Sequence, residues 1–476
     1  MRGNSYFLIP IFLIVVQGIY SISSIGELRL EEAIESIRSV YWFQNHLVWN
    51  GGYTNLGWYT VLAVVYNLFG FSVYSAKFVK LFVYILALLC LAALLKKYLG
   101  EKLAIVPLLM IGFSPTLIYL NSLQISHGIE VSYFLICAYL ISNLNFKKRA
   151  EWMLQTILGI VAAIAVLSYP AFIYYLPIIS FYYLYQLKNQ CKKASISLIV
   201  FCTYLLLSIL YIKNRQILIY DTNSNLGLFR GGGRLEFDLD LLISNFRIMF
   251  SDLFQIPVSY YFEPLKTEFS DFYPMFVVIF VMVISLALFL KIQRLRFFIG
   301  FVWTCFLGYS IVLNLFGPIG LGGIRRETII LTLFYLLFVI VWKFISNIKK
   351  SSFGRNLVLV VLGLLLIHHI FVYPQNLGQL NKQSKFGNWF APNAELSFRS
   401  QIKTIEAEDL WVNCEENVNP YAHSRCAGLS INYALIAGEC LWNRRLCHKV
   451  IAFDAKNQKH FLINLNFWGE GSHAEP

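Results

Sequence analysis

Polar residues in an otherwise apolar chain fall into a few sets whose types and spacing suit chemistry on a charged lipid. Glu31, Glu32, Glu35 and Arg38 lie within Leu30–Tyr41, where Leu30, Ile34, Ile37 and Tyr41 recur at helical spacing. An amphipathic helix is therefore expected, with the acids off its apolar face. Such a helix either rests on lipid headgroups with its charges in water, or holds a carboxylate at the interface as a general base for an acceptor hydroxyl. Glu130 closes the segment SLQISHGIE, beside His127, and opens an apolar run. A helix dipole favours a carboxylate there, so a capping role is one reading. An acid at the edge of a span is equally a functional candidate. Lys77 and Lys80 open one apolar run, and Arg325 and Arg326 precede another in GPIGLGGIRRET. These cations either snorkel toward headgroups or bind a phosphate or pyrophosphate, whose geometry the arginine fork matches. The FRGGGRLEFD segment offers a wrap for an anion, but it lacks the lysine and buried strand of a nucleotide loop.

The elements that must position these residues cross a membrane. The 476-residue chain is 58% hydrophobic and only 14% charged, against about 25% charged in a typical soluble protein. Its net charge of +13 is gathered in short loops between apolar runs. That distribution is a topology signal rather than a nucleic-acid surface, so no nucleic-acid partner is expected. Spans are expected at 5–23, 75–95, 103–121, 130–145, 152–168, 171–187, 194–213, 274–290, 297–315, 327–345 and 356–373. The first is expected to remain as a signal-anchor.

Leu56–Phe69 decides the sidedness of everything after it. At 14 residues it is short for a crossing. If it lies in the interface, the clusters Lys96-Lys97-Lys102, Lys147-Lys148-Arg149, Lys188-Lys192-Lys193, Lys291-Arg294-Arg296 and Lys343-Lys349-Lys350-Arg355 all share the side of the N-terminus. The positive-inside rule then sets the N-terminus in the cytoplasm. The fold class expected is an all-α polytopic membrane protein of about 11 transmembrane helices over residues 1–373, with interfacial helices in the outer loop 24–74 and a second long outer loop at 214–273. Residues 374–476 are expected to form a small α/β extracytoplasmic domain, with strands at Val450–Phe453 and His460–Asn466. Cys414, Cys426, Cys440 and Cys447 in that region suggest two disulfides in an oxidising compartment, or less readily a metal site. Cys90, Cys137, Cys191, Cys202 and Cys305 lie in or beside spans and read as packing residues.

The acids after span one, a horizontal helix, the LFG turn, a cation opening span two, Phe113-Ser114-Pro115 in span three and an acid opening span four form an ordered pattern. It resembles the GT-C glycosyltransferases, especially the branch of protein O-mannosyltransferases (glycosyltransferase family 39) and aminoarabinose transferases. The likeness covers about residues 5–190 and resumes weakly at GGIRRETIILTLFYLL. It implies a transferase of the plasma (bacterial inner) membrane. Such an enzyme takes a sugar from a polyprenyl-phosphate donor on the extracytoplasmic side and passes it, commonly with inversion, to a lipid, glycan or protein. The family's Asp-Glu motif falls on Glu31-Glu32, its second acid on Glu130 and its span-two arginine on Lys77. The resemblance implies Glu31, Glu32 and Glu130 as catalytic residues. Lys77, Arg325, Arg326 and His127 would serve the lipid phosphate. Family members differ in their use of a divalent cation, which is left open. The chain departs from the pattern at Glu31, at Lys77, at Asn55-Leu56-Gly57-Trp58 in place of a proline pair, and at Arg325-Arg326-Glu327 in place of Arg-Tyr. Two other readings stand beside this one: an O-antigen polymerase or ligase using Arg215, Arg230, Arg234 and Arg247 of the long loop, and a non-enzymatic lipid or glycan transporter.

Overall fold

The computed structural model describes residues 5–25, 35, 39, 48–49, 55–69, 73–99, 101–143, 151–169, 172, 175–176, 179–180, 191–217, 239–240, 273–293, 296, 299–305, 307, 328–348, 449–454 and 459–464. In chain order come α1 (Ser5–Ile25), β1 (Val48–Trp49), α2 (Leu56–Phe69), α3 (Val73–Leu99), α4 (Glu101–Gly112), α5 (Pro115–Asn121), α6 (Ile129–Asn143) and α7 (Glu151–Ser168). They are followed by α8 (Cys191–Arg215), β2 (Gln216–Ile217), α9 (Tyr273–Lys291), α10 (Thr328–Ile348), β3 (Lys449–Asp454) and β4 (Lys459–Asn464). The span expected at 356–373 and the four C-terminal cysteines lie outside the described residues. Cys90, Cys137, Cys202 and Cys305 are free thiols.

The expected third span, 103–121, is two helices rather than one. Ser114 is extended, with φ −55° and ψ 121°, and Pro115 starts α5. Proline has no N–H to give to the preceding turn and pushes the residue before it out of the helical region. The two strands expected near the C-terminus are present as β3 and β4, which pair antiparallel from Lys449↔Asn464 to Asp454↔Lys459.

Among the described residues, the helix Tyr74–Lys97 is the one long and apolar enough to cross a membrane by length and composition. It carries lysines near both ends. Lys77 to Lys97 is 20 residues of helix, about 30 Å, the thickness of a bilayer's hydrocarbon core. At the far end, Lys97 Nζ donates to the Ser142 carbonyl at 2.7 Å and ties α3 to the end of α6. Large apolar side chains stand exposed on α1 (Leu8, Ile9, Phe12), α3 (Phe82) and α8 (Leu198, Leu207). That is an outer surface suited to lipid. The core sits where α1, α3, α4, α6 and α10 meet, around Ile14, Tyr84, Leu88, Ile111 and Tyr335.

The course of α2 follows from its two ends. Asn55, which precedes it, donates to Ser126 Oγ at 2.7 Å. Lys80, in the first turns of α3, reaches the same turn after α5. Both ends of α2, 14 residues long, therefore lie at one end of the bundle. β1 pairs in parallel with β2, Val48↔Gln216 and Trp49↔Ile217, so the first loop and the end of α8 meet as well.

Glycines set two close helix contacts. A Cβ on Gly57 would stand 2.6 Å from the Ile164 carbonyl oxygen and 2.7 Å from the Ser168 nitrogen, so α2 lies directly on α7. A Cβ on Gly159 would stand 2.7 Å from the Ser197 carbonyl oxygen, which fixes α7 against α8. Because the neighbours are backbone, they have little room to give. Gly57→Ala is expected to destabilise the protein by about 1–3 kcal/mol, read as a lower thermal midpoint of the detergent-solubilised chain. An unchanged midpoint would show that α2 does not bear on α7 in this way.

Candidate active site

The turn 122–128 between α5 and α6 is the hub of the region. All its residues but the half-buried His127 are buried, so every polar group on it needs a protein partner. α5 stops because side chains take over its last carbonyls: Asn121 Nδ2 donates to Leu117 O at 2.8 Å and Ser122 Oγ to Ile118 O at 2.6 Å. Gly128 closes the turn at φ +90°, and a Cβ there would stand 2.8 Å from the Leu120 Cβ. No other residue type fits both constraints without strain.

Three elements grip the turn. From α3, the fully buried Lys80 donates from Nζ to the carbonyls of Leu120 (2.5 Å), Ile125 (2.6 Å) and His127 (2.6 Å). From α2, Trp58 Nε1 donates to Gln124 O at 2.9 Å, and Gln124 Nε2 in turn donates to the Tyr66 hydroxyl. From the first loop, the Glu35 carboxylate accepts from Ser126 N (2.9 Å), Ser126 Oγ (3.0 Å) and Asn55 Nδ2 (2.9 Å).

Glu130 follows directly, fully buried in the first turn of α6. Its Oε1 accepts the Thr328 hydroxyl, at the start of α10. Its Oε2 has no hydrogen-bond partner among the described residues. The backbone N–H groups of Gly128 and Glu130 face the carboxylate, and the Lys80 charge acts on it. A buried carboxylate with one oxygen open, at a helix N-terminus and near an ammonium, can accept a hydrogen bond from an incoming group or help hold a cation. Among the described residues no three His, Cys, Asp or Glu side chains come together.

Of the residues singled out in the sequence, Glu130, His127 and Lys77 are described, and Lys80 joins the first two. Lys77 is fully buried one turn before Lys80. The His127 ring stands edge-on to Tyr169, with centroids 5.1 Å apart and planes at 71°. Glu31, Glu32, Arg325 and Arg326 lie outside the described residues. Two expectations change. Lys80 is buried with its Nζ bonded to three carbonyls of the turn, and does not snorkel. Glu35, one of the acids of the charged helix face, is only 8% exposed and sits in protein rather than in water. Sequence reading also passed over Asn55, Ser126 and Thr328. Asn55 did carry a signal, since it opens the stretch Asn55-Leu56-Gly57-Trp58 that stands in place of the resembled family's proline pair.

No family model matches the sequence, and no curated protein matches it. The structure does match others. ArnT from Cupriavidus metallidurans, solved bound to undecaprenyl phosphate, superposes with a TM-score of 0.51 and 10% identity over 94% of this chain and 78% of ArnT. The fold is GT-C-like. The oligosaccharyltransferase of Archaeoglobus fulgidus, in a complex with zinc and sulfate, overlaps with a TM-score of 0.48 and 12% identity. That overlap takes in 86% of this chain and 59% of the archaeal one, so the chain spans less than two thirds of its length. Within the GT-C-like fold Glu130 meets the start of α10 through Thr328.

Proposed function

We propose that the protein is a membrane glycosyltransferase that takes a sugar from a polyprenyl-phosphate donor. The observation that carries this reading is Glu130: a buried carboxylate with one open oxygen, hydrogen-bonded to the start of α10, within a fold similar to that of ArnT along nearly the whole chain. Thr328 stands two residues after Arg326, so the covalent chain keeps that arginine's backbone within about 7 Å of Thr328. This supports a role for Arg325 and Arg326 near Glu130.

In the proposed reaction an acceptor oxygen attacks the anomeric carbon of the sugar. The bond from that carbon to the phosphate oxygen breaks, and the configuration inverts. Glu31 or Glu32 takes the acceptor's proton. Lys77, Arg325, Arg326 and His127 stabilise the charge that develops on the departing lipid phosphate. Glu130 orients the acceptor or contributes to a divalent cation site. The donor enters from the extracytoplasmic leaflet of a bacterial inner membrane, with the N-terminus in the cytoplasm. The meeting of residues 35, 55 and 126 at one end of the bundle supports that topology, because it keeps α2 from crossing and leaves the basic loops on one side. The region 374–476 then forms an extracytoplasmic domain that meets a lipid, glycan or protein acceptor.

The test uses full-length protein in lipid nanodiscs and a panel of undecaprenyl-phosphate-linked hexoses, pentoses and aminopentoses. Release of undecaprenyl phosphate reports turnover whichever sugar is used. Wild-type protein is expected to release it from at least one donor. Of Glu31→Gln and Glu32→Gln, made separately, one is expected to insert normally and release none. No release from any donor by wild-type protein, or full release by both variants, would overturn the reading.

A further inference from the structure

We propose that Glu35 is a positioning residue that sets the first-loop acids against Glu130. The inference rests on the transferase reading for what those acids do, and on geometry alone for how they are held. Glu35 uses both carboxylate oxygens. Oε2 accepts from Ser126 N at 2.9 Å, while Oε1 accepts from Ser126 Oγ at 3.0 Å and Asn55 Nδ2 at 2.9 Å. Asn55 Nδ2 also donates to Ser126 Oγ at 2.7 Å, which closes a ring of three side chains. All three residues are buried.

Each member belongs to a different part of the region. Glu35 comes from the acidic segment of the first loop, three and four residues after Glu32 and Glu31, and is helical in the structure, as is the buried Ser39 one turn on. On a helix, those spacings place neighbours on one side. Asn55 is the residue from which α2 starts, since its carbonyl accepts from Tyr59 N at 2.9 Å. Ser126 stands two residues before Gly128 and four before Glu130, in a turn whose flanking carbonyls, Ile125 and His127, are fixed by Lys80. The clamp therefore joins the segment bearing Glu31 and Glu32 to the turn that carries Glu130. Asn55 opens the stretch Asn55-Leu56-Gly57-Trp58 that stands in place of the resembled family's proline pair.

The acid of this clamp acts by accepting hydrogen bonds, not by its charge on substrate. A glutamine at 35 keeps one acceptor for Ser126 N. Its amide can donate to Asn55 Oδ1, which has no hydrogen-bond partner among the described residues. An alanine removes the acceptor of the Ser126 N–H and of the Ser126 hydroxyl, and leaves the Asn55 amide only its bond to Ser126 Oγ.

The experiment compares wild-type, Glu35→Gln, Glu35→Ala and Ser126→Ala full-length protein in nanodiscs. Amide hydrogen exchange of residues 26–55 and 122–128 is read on the free protein, alongside release of undecaprenyl phosphate from the donor the wild-type protein turns over. Glu35→Ala is expected to raise exchange in both segments at least about tenfold while α7 and α8 are unchanged. It is expected to lower kcat by about 10²-fold, with KM for the donor unchanged, as misplaced groups do. Ser126→Ala moves the same way less far. Glu35→Gln stays within a few-fold of wild type in both readouts. A Glu35→Gln protein as inactive as Glu35→Ala would make the carboxylate itself the active group and overturn the positioning role. Unchanged exchange and kcat in Glu35→Ala would overturn the clamp. If the wild-type protein released nothing, the transferase reading would fall, and the exchange arm, which needs no substrate, would still decide the clamp.

Discussion

Glu130→Gln is expected to give a protein that inserts and folds but transfers sugar about 10²–10⁴-fold more slowly, the range for losing a positioned proton-handling or charge-bearing group. Glutamine matches glutamate in shape and can still take the Thr328 hydroxyl on its amide oxygen. What it lacks is the negative charge and the second acceptor oxygen, which has no hydrogen-bond partner among the described residues. If Glu130 serves only as an N-terminal cap of α6, charge loss at this site costs up to about 2 kcal/mol of stability, and turnover is unaffected. Thr328→Val supplies the other half of the comparison. It removes the hydroxyl from Oε1, keeps the side-chain volume and leaves the carboxylate charged, so it is expected to slow turnover less than Glu130→Gln. Undecaprenyl-phosphate release, read beside the thermal midpoint of each variant, separates the cases. Wild-type turnover in Glu130→Gln would reduce Glu130 to a cap.

Lys80→Met is expected to be the most destabilising single change in the region. Methionine fills much of the apolar stem's volume and removes the ammonium. The carbonyls of Ile125 and His127 then lose the Lys80 donor in a buried turn, and Leu120 O keeps only backbone donors such as Leu123 N at 3.3 Å. Each buried polar group left unsatisfied costs about 1–3 kcal/mol, and Glu130 loses a nearby compensating charge as well. The protein is expected to fail to accumulate in membranes, or to melt far below wild type. Arginine is not a substitute, because its planar fork cannot present three N–H bonds from one point to three carbonyls. Lys80→Arg is therefore expected to fall closer to Lys80→Met than to wild type. Melting of both variants within a few degrees of wild type would show that water or another group satisfies the turn. Lys77→Met, one turn away, keeps the turn's three bonds. It is expected to leave stability less affected and to weaken binding of undecaprenyl phosphate instead.

Local features were legible in the sequence because local physics determines them. Leu56–Phe69 was bounded by its apolar run, and the structure keeps those bounds. The strands near 450 and 460 were marked by their side chains. Phe113-Ser114-Pro115 was visible as a motif, yet the span was expected to run through it, since the apolar run does not stop there. Proline's missing N–H broke the helix all the same. Partnerships between distant residues were not legible. Glu35 lies on the charged side of a helical period, which predicts water, whereas its acceptors are filled by a serine 91 residues away. Lys80 looks like any cation at the mouth of a span until its three carbonyls are seen. Spacing shows which face a side chain occupies, but not whether another segment arrives to cover that face.

The bond between Glu130 and Thr328 has a consequence for how the protein is made. Its partners are 198 residues apart. Chain growth at roughly 5–20 residues per second leaves about 10–40 s between their synthesis. During that interval α6 is already built while Glu130 lacks the residue that takes its Oε1. The late helix thus completes the site only once residue 328 has been made, so a chain truncated before α10 carries the acid without the means to set it.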